Sequence, residues 1–227
     1  ESSVSNINGK KGILSYRGYS IEELAQKSTF EETSYLLLFG ELPTSAQLKE
    51  FTSKVTQYRD LPEELVSILR ALPKHTRPMD VLQMAVSSLG TFYDLEVSPE
   101  KVKGKKYNDE YFLNTSAALI GALGSIVAAW HRIRNGDEPI SSKPDCTYAE
   151  NFLHILGAEK ITPLMTRIMD ATLVLHGEHT INASTFTAMV TSSTLANASQ
   201  VVASAIGSLS GPLHGGANEK VIAMLQK

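Results

Sequence analysis

The segment from Asn114 to Arg134 constrains this chain most, because apolar residues occupy more than one helical face before Asn135-Gly136 ends the pattern. Such a helix has to be buried on several sides. Ala117, Ala118, Gly121, Ala122, Gly124, Ser125, Ala128 and Ala129 leave little side-chain bulk along it, so another helix can lie close against it. Glycine costs about 1 kcal/mol relative to alanine inside a helix, and close packing has to offset that. The neighbour is either a helix of the same chain, the commoner arrangement, or a second subunit. The most apolar part, Ala117 to Trp130, is shorter than the roughly 20 residues that span a bilayer, so it reads as a buried helix rather than a membrane anchor.

Helical spacing and stop signals recur on both sides. Val4 to Tyr16 reads as a short hairpin, with Asn8-Gly9 supplying positive φ. Ser20-Ile-Glu-Glu23 is a capping-box pattern, Phe30 to Phe39 is a helix stopped by Gly40 and Pro43, and Thr44 caps the next. Leu48, Phe51 and Val55 continue the period, as do Leu65, Ile68 and Leu72 between Pro62 and Pro73. Pro78 to Tyr93 is apolar on more than one face. Thr147 opens a helix containing His154 before Gly157, and Pro163 to His176 follows. Then come a small-residue helix over about 184–197, another over about 200–208, and the start of a last one at Asn218. Lys101 to Lys106 and Pro139 to Asp145 read as solvated loops. The expectation is an all-α chain with a short N-terminal β-hairpin over 1–16 and helices over 17–227, without internal repeats or a Gly-rich phosphate fingerprint.

Charge and cysteine usage narrow the partners. A net charge of -3 with acids and bases interleaved offers no basic field for nucleic acid. The single cysteine, Cys146, has no partner for a disulfide or zinc cluster, which fits a reducing, cytoplasmic compartment. No signal-peptide pattern opens the chain at Glu1.

Chemistry concentrates in two segments, His176-Gly-Glu-His179-Thr-Ile-Asn182-Ala-Ser184 and Ser210-Gly-Pro-Leu-His214-Gly-Gly-Ala-Asn218. If the helix persists, His176 and His179 share a face with Glu178 turned aside. The spacing is neither HExxH nor HxxEH and has no further ligand to complete a zinc set, so no metal is expected, and a helix-end role for a histidine there is the simpler reading. Alternatively, His179, Asn182, Ser184 and Thr185 crowd hydrogen-bonding groups at the mouth of a helix beginning at Ser184, where carboxylates and enolates find donors. His214 lies between Gly211-Pro212-Leu213 and Gly215-Gly216, where no bulky neighbour blocks a ligand. A neutral imidazole there donates one hydrogen bond and accepts another, suiting an oxyanion donor or general acid, although a turn-capping histidine is also compatible. No GxSxG elbow accompanies either histidine.

These two segments resemble the signature segments of the citrate synthase family. The likeness extends to Tyr16-Arg17-Gly18-Tyr19, Tyr35-Leu-Leu-Leu-Phe-Gly40-Glu-Leu-Pro43, Arg77-Pro78-Met79-Asp80 and Trp130-His-Arg-Ile-Arg134, in order along essentially the whole chain. The resemblance implies the multi-helical large domain of that fold, here without the small domain, and condensation of acetyl-CoA with oxaloacetate and water to citrate and CoA. It implies His179 as the oxaloacetate-binding histidine and His214 as the residue that bonds the thioester carbonyl as the enolate forms. Asn182, Ser184, Gly215 and Gly216 match supporting positions. No cofactor is implied, since acetyl-CoA is a substrate, and a homodimer through helices 78–93 and 114–134 is. That dimer turns the small-residue helices into interface candidates.

Met189 stands where many relatives carry arginine. The family's aspartate base, third histidine and carboxylate-binding arginines have no match here, so residues 1–227 alone are expected to be inactive. Two other activities remain open: 2-methylcitrate synthesis from propionyl-CoA, and a metallohydrolase using His176, His179 and Glu178. A catalytically silent helical scaffold is the alternative from outside enzymology.

Overall fold

A computed structural model of the chain describes residues 2–95, 109–216 and 224. Lys101 to Lys106 and the helix expected at Asn218 lie outside the described residues. The expected hairpin is present as β1 (Ser5–Asn8) and β2 (Ile13–Tyr16), antiparallel with Asn8 opposite Ile13 and Ser5 opposite Tyr16. Its positive φ falls on Gly12 rather than Gly9, because Asn8 is used as the last residue of β1. A third strand, β3 (Tyr19–Ser20), pairs with β2, so the sheet reaches past residue 16. The turn between β2 and β3 has positive φ at both Arg17 (49°) and Gly18 (94°), a two-residue hairpin geometry. The Arg17 guanidinium donates to the Leu37 carbonyl at 3.0 Å and so ties that turn to the helices.

Ten α-helices follow among the described residues: α1 (Ile21–Lys27), α2 (Phe30–Phe39), α3 (Ser45–Gln57), α4 (Glu63–Ala71), α5 (Pro78–Ser88), α6 (Asp109–Asn135), α7 (Tyr148–Ile155), α8 (Pro163–Leu175), α9 (Ala183–Ser192) and α10 (Ala198–Leu209). Their starts follow local side-chain chemistry. Thr29 with Glu32, and Thr44 with Gln47, form reciprocal capping boxes, whereas Ser20 caps α1 only through Glu23 N–H. Gly40 ends α2 at φ 92°. The helix expected over 78–93 stops at Ser88 and tightens into a 3₁₀ turn over Leu89–Thr91. The one expected over 184–197 runs from Ala183 only to Ser192. There Ser192, Ser193 and Thr194 hydroxyls bond back to carbonyls three residues earlier and Leu195 turns to φ 59°, which closes the helix.

α6 is the centre of the fold. Ala118, Ala122, Ile126 and Trp130 pack with Leu65 and Leu69 of α4, Val81, Ala85 and Val86 of α5, and Ala203 and Ile206 of α10. On another side Ala117 meets Phe51 and Val55 of α3 and Tyr148 of α7. A Cβ on Gly121 would lie 2.5 Å from the Val55 carbonyl oxygen, and one on Gly124 would lie 2.7 Å from the Tyr148 hydroxyl. These small residues are therefore occupied by α3 and α7 of the same chain. The helix is 27 residues long, well beyond its fourteen most apolar positions. By length and composition alone Glu110–Asn135 could cross a bilayer, yet 56% of its most apolar window is buried by the chain's own helices.

A separate cluster joins the sheet to α8, the helix whose C-cap is His176. Tyr16, Ile21, Leu24, Leu36 and Val174 are buried together, bringing β2, α1 and α2 against the last turn of α8. Deeper in, the guanidinium of the fully buried Arg59 donates to the Cys146 carbonyl at 3.0 Å and lies over the Tyr148 ring, with Glu31 at 4.0 Å.

Candidate active site

α8 ends at Leu175, and His176 occupies its C-cap, where Nδ1 donates to the Thr172 carbonyl at 2.7 Å. That bond absorbs a carbonyl the helix end leaves unpaired and fixes the proton on Nδ1. The chain then turns through Gly177, Glu178, His179 and Thr180, the last at φ 77°. Glu178 faces the sheet: its Oε1 accepts from the Ser5 hydroxyl at 3.0 Å and from the Thr180 N–H. A metal site built from His176, His179 and Glu178 is therefore not assembled. Among the described residues no group of three His, Cys, Asp or Glu side chains could hold a metal ion.

Asn182, rather than Ser184, is the N-cap of α9. Its Oδ1 accepts from Thr185 N–H at 2.9 Å, while its Nδ2 lies 3.3 Å from His179 Nε2. One small amide thus starts the helix and holds the exposed His179 ring. Ser184 is the second residue of the same helix, and its hydroxyl lies 2.9 Å from His214 Nε2. The first turn of α9 consequently holds one histidine from each segment, although 35 residues separate them in sequence.

α10 makes this convergence possible by returning beside α9, with Thr191 and Ser204 hydroxyls 3.0 Å apart. After Leu209 the chain folds tightly: His214 N–H bonds the Gly211 carbonyl at 3.0 Å and Gly215 N–H bonds the Leu209 carbonyl at 3.0 Å. A Cβ on Gly215 would collide with that carbonyl and approach Leu209 Cδ1 to 3.0 Å, whereas one on Gly216 would meet nothing nearer than 3.9 Å. Gly215 is thus required by the turn that presents the half-buried His214. Met189 is exposed on α9, together with Phe186 and Val190. The site places two imidazoles, an amide, a hydroxyl and the free N–H groups of a helix N-terminus in one region. Such a set can hold carboxylate and developing oxyanion charge.

Sequence reasoning misses Tyr16 and Ser5 as parts of the site, because their bonds to Glu178 cross 162 and 173 residues of sequence. The only local sign was Tyr16-Arg17-Gly18 lying among the resembling segments.

The family model for citrate synthase, C-terminal domain, matches residues 1–227. A citrate synthase of Acidithiobacillus ferridurans is 44% identical over all of this chain, which covers 58% of that protein. A 2-methylcitrate synthase of Shewanella oneidensis is 39% identical over all of this chain and is covered to the same 58%. The crystal structure of citrate synthase from Pyrobaculum aerophilum superposes with a TM-score of 0.90 at 39% identity, covering 97% of this chain and 55% of that one. The chain spans rather more than half the length of these proteins. The family model spans the whole chain and the fold is that of its solved relative, so the chain belongs to the citrate synthase family.

Proposed function

We propose that the protein carrying this chain condenses acetyl-CoA with oxaloacetate and water, releasing citrate and CoA. The observation that carries the proposal is the convergence of His179–Asn182 and Ser184–His214 on the first turn of α9. An acetyl thioester gives its α-proton to a base, for which residues 1–227 offer no match to the family's aspartate, and does so only if the enolate oxygen is held by fixed donors. With the Ser184 hydroxyl donating to Nε2, the neutral His214 ring carries its proton on Nδ1, free to donate to that oxygen. His179, held by Asn182, then binds the oxaloacetate carbonyl or carboxylate. The enolate carbon attacks the oxaloacetate ketone, and water cleaves the citryl thioester.

The test uses the protein expressed from its natural reading frame, supplied with both substrates and followed by free CoA thiol. Release that requires oxaloacetate supports the proposal, and absence of release sinks it. Because a relative at 39% identity is a 2-methylcitrate synthase, propionyl-CoA belongs in the same assay, where acetyl-CoA is expected to be the better substrate. A homodimer through α5 and α6 is proposed with it. The small residues of α6 are filled within the chain, so the contact would use outer positions such as Val127, 40% exposed, and sedimentation reads it directly. A cytoplasmic setting is supported by the free Cys146, whose thiol burial pushes up and keeps protonated.

A further inference from the structure

Tyr16 closes β2 with its ring fully buried against Ile21, Leu24, Leu36 and Val174. Its hydroxyl donates toward the carbonyls of Val174 (3.2 Å) and Leu175 (3.3 Å) and accepts from the Glu178 N–H (3.0 Å). These are main-chain groups at and beyond a helix end, which need partners from elsewhere. Burial raises the phenol above its ordinary range, so it remains a protonated donor throughout the physiological window. Two residues further on, Thr180 adopts a left-handed backbone that a threonine does not favour, and the Glu178 carboxylate holds it there while also accepting from Ser5 of β1. Gly177 has little room to shift: a Cβ there would lie 3.1 Å from Leu37 Cδ1 and 3.5 Å from the Tyr16 ring. The His179 ring is exposed and bonds only Asn182 among the described residues, so the main chain of this turn sets where it stands.

We propose that Tyr16 is a positioning residue for the oxaloacetate side of the site, its hydroxyl pinning the 176–180 turn to the sheet in the arrangement that presents His179 to the dicarboxylate. The inference rests on the synthase reading above. His214 hangs on a different support, the Ser184 hydroxyl and the turn after α10, so the acetyl-CoA side does not depend on Tyr16. Removing the hydroxyl leaves Leu175 C=O and Glu178 N–H without this partner, and the turn then samples other conformations. Apparent affinity falls by the fraction of molecules that remain competent.

Tyr16→Phe keeps the ring and its core contacts. In the protein expressed from its natural reading frame, the oxaloacetate Kd by calorimetry and the oxaloacetate KM are expected to rise about tenfold, with acetyl-CoA KM at saturating oxaloacetate changed by less than about twofold. Ser5→Ala acts on the same turn through Glu178 without touching the Tyr16 core, and is expected to move the same two constants in the same direction by a smaller factor. Thermal midpoints are recorded for both. Oxaloacetate affinity unchanged in both variants overturns the proposal, as does a parallel loss of both substrates' affinities together with the thermal midpoint, which would mark Tyr16 as core packing alone. Absence of oxaloacetate binding and turnover in the unaltered protein fails differently, because it removes the synthase reading itself.

Discussion

Replacing Ser184 with alanine deletes one oxygen from the first turn of α9 and nothing from the core. That oxygen lies 2.9 Å from His214 Nε2, in a part-buried setting. A neutral hydrogen bond of this kind contributes about 1 kcal/mol net. In the proposed arrangement, where the hydroxyl is the donor, it also selects a tautomer: without a donor at Nε2, part of the imidazole population carries its proton there, and Nδ1 can no longer donate to the enolate. Together these effects place the loss of transition-state stabilisation at about 1–2 kcal/mol, a factor of about 5–30 in kcat/KM for acetyl-CoA. His214→Ala removes the donor itself and should cost about 10²–10³ in kcat, as for loss of an oxyanion-hole group. If Ser184 acts only through His214, adding Ser184→Ala to His214→Ala changes nothing further, so the coupling energy equals the whole single-variant effect. Thiol-release kinetics of the four proteins close this cycle. Multiplying losses, or a Ser184→Ala variant with full kcat/KM, would refute the reasoning.

Other positions give independent expectations. Asn182→Ala removes the N-cap of α9 and the amide beside His179, so chemical denaturation should show about 1 kcal/mol less stability and oxaloacetate should bind more weakly. Gly215→Ala drives a Cβ into the Leu209 carbonyl and should lower stability by about 1–3 kcal/mol, seen as a lower thermal midpoint, whereas Gly216→Ala makes only van der Waals contacts at 3.9 Å and should not. Burial pushes the Tyr148 phenol up to about 12, so the folded state keeps a proton that the unfolded chain, titrating near 10, releases. The associated stability is complete below pH 10 and is lost as pH climbs toward 12, by on the order of 2–3 kcal/mol in alkaline unfolding curves. Tyr148→Phe should abolish that part of the slope.

Most helices could be placed from sequence because their boundaries are local chemistry: Thr44 with Gln47, Thr147 with Glu150 and Gly40 at φ 92° each act within four residues. The end of α9 was harder, since a run of hydroxyl residues closes it through bonds to its own backbone. β3 was missed because Arg17 takes a left-handed conformation without being glycine, held by the distant Leu37 carbonyl. The small residues of α6 announced close packing but not the partner, and only the three-dimensional arrangement shows α3 and α7 pressed against Gly121 and Gly124. In the site, both histidines were visible as types in turns. Their meeting on one helix turn was not, because it depends on α10 folding back beside α9. Nor was the buried Arg59 near Glu31, a tie between segments 28 residues apart.

Histidine ring ¹⁵N resonances of the protein provide the most direct measurement of this site. Oxaloacetate should shift His179, and a non-hydrolysable thioether analogue of acetyl-CoA added afterwards should shift His214. In Ser184→Ala the free His214 ring should already report a changed mixture of Nδ1–H and Nε2–H forms. Rings of His179 and His214 that stay unmoved by both ligands, with a His214 tautomer indifferent to Ser184, would contradict a substrate site at the first turn of α9.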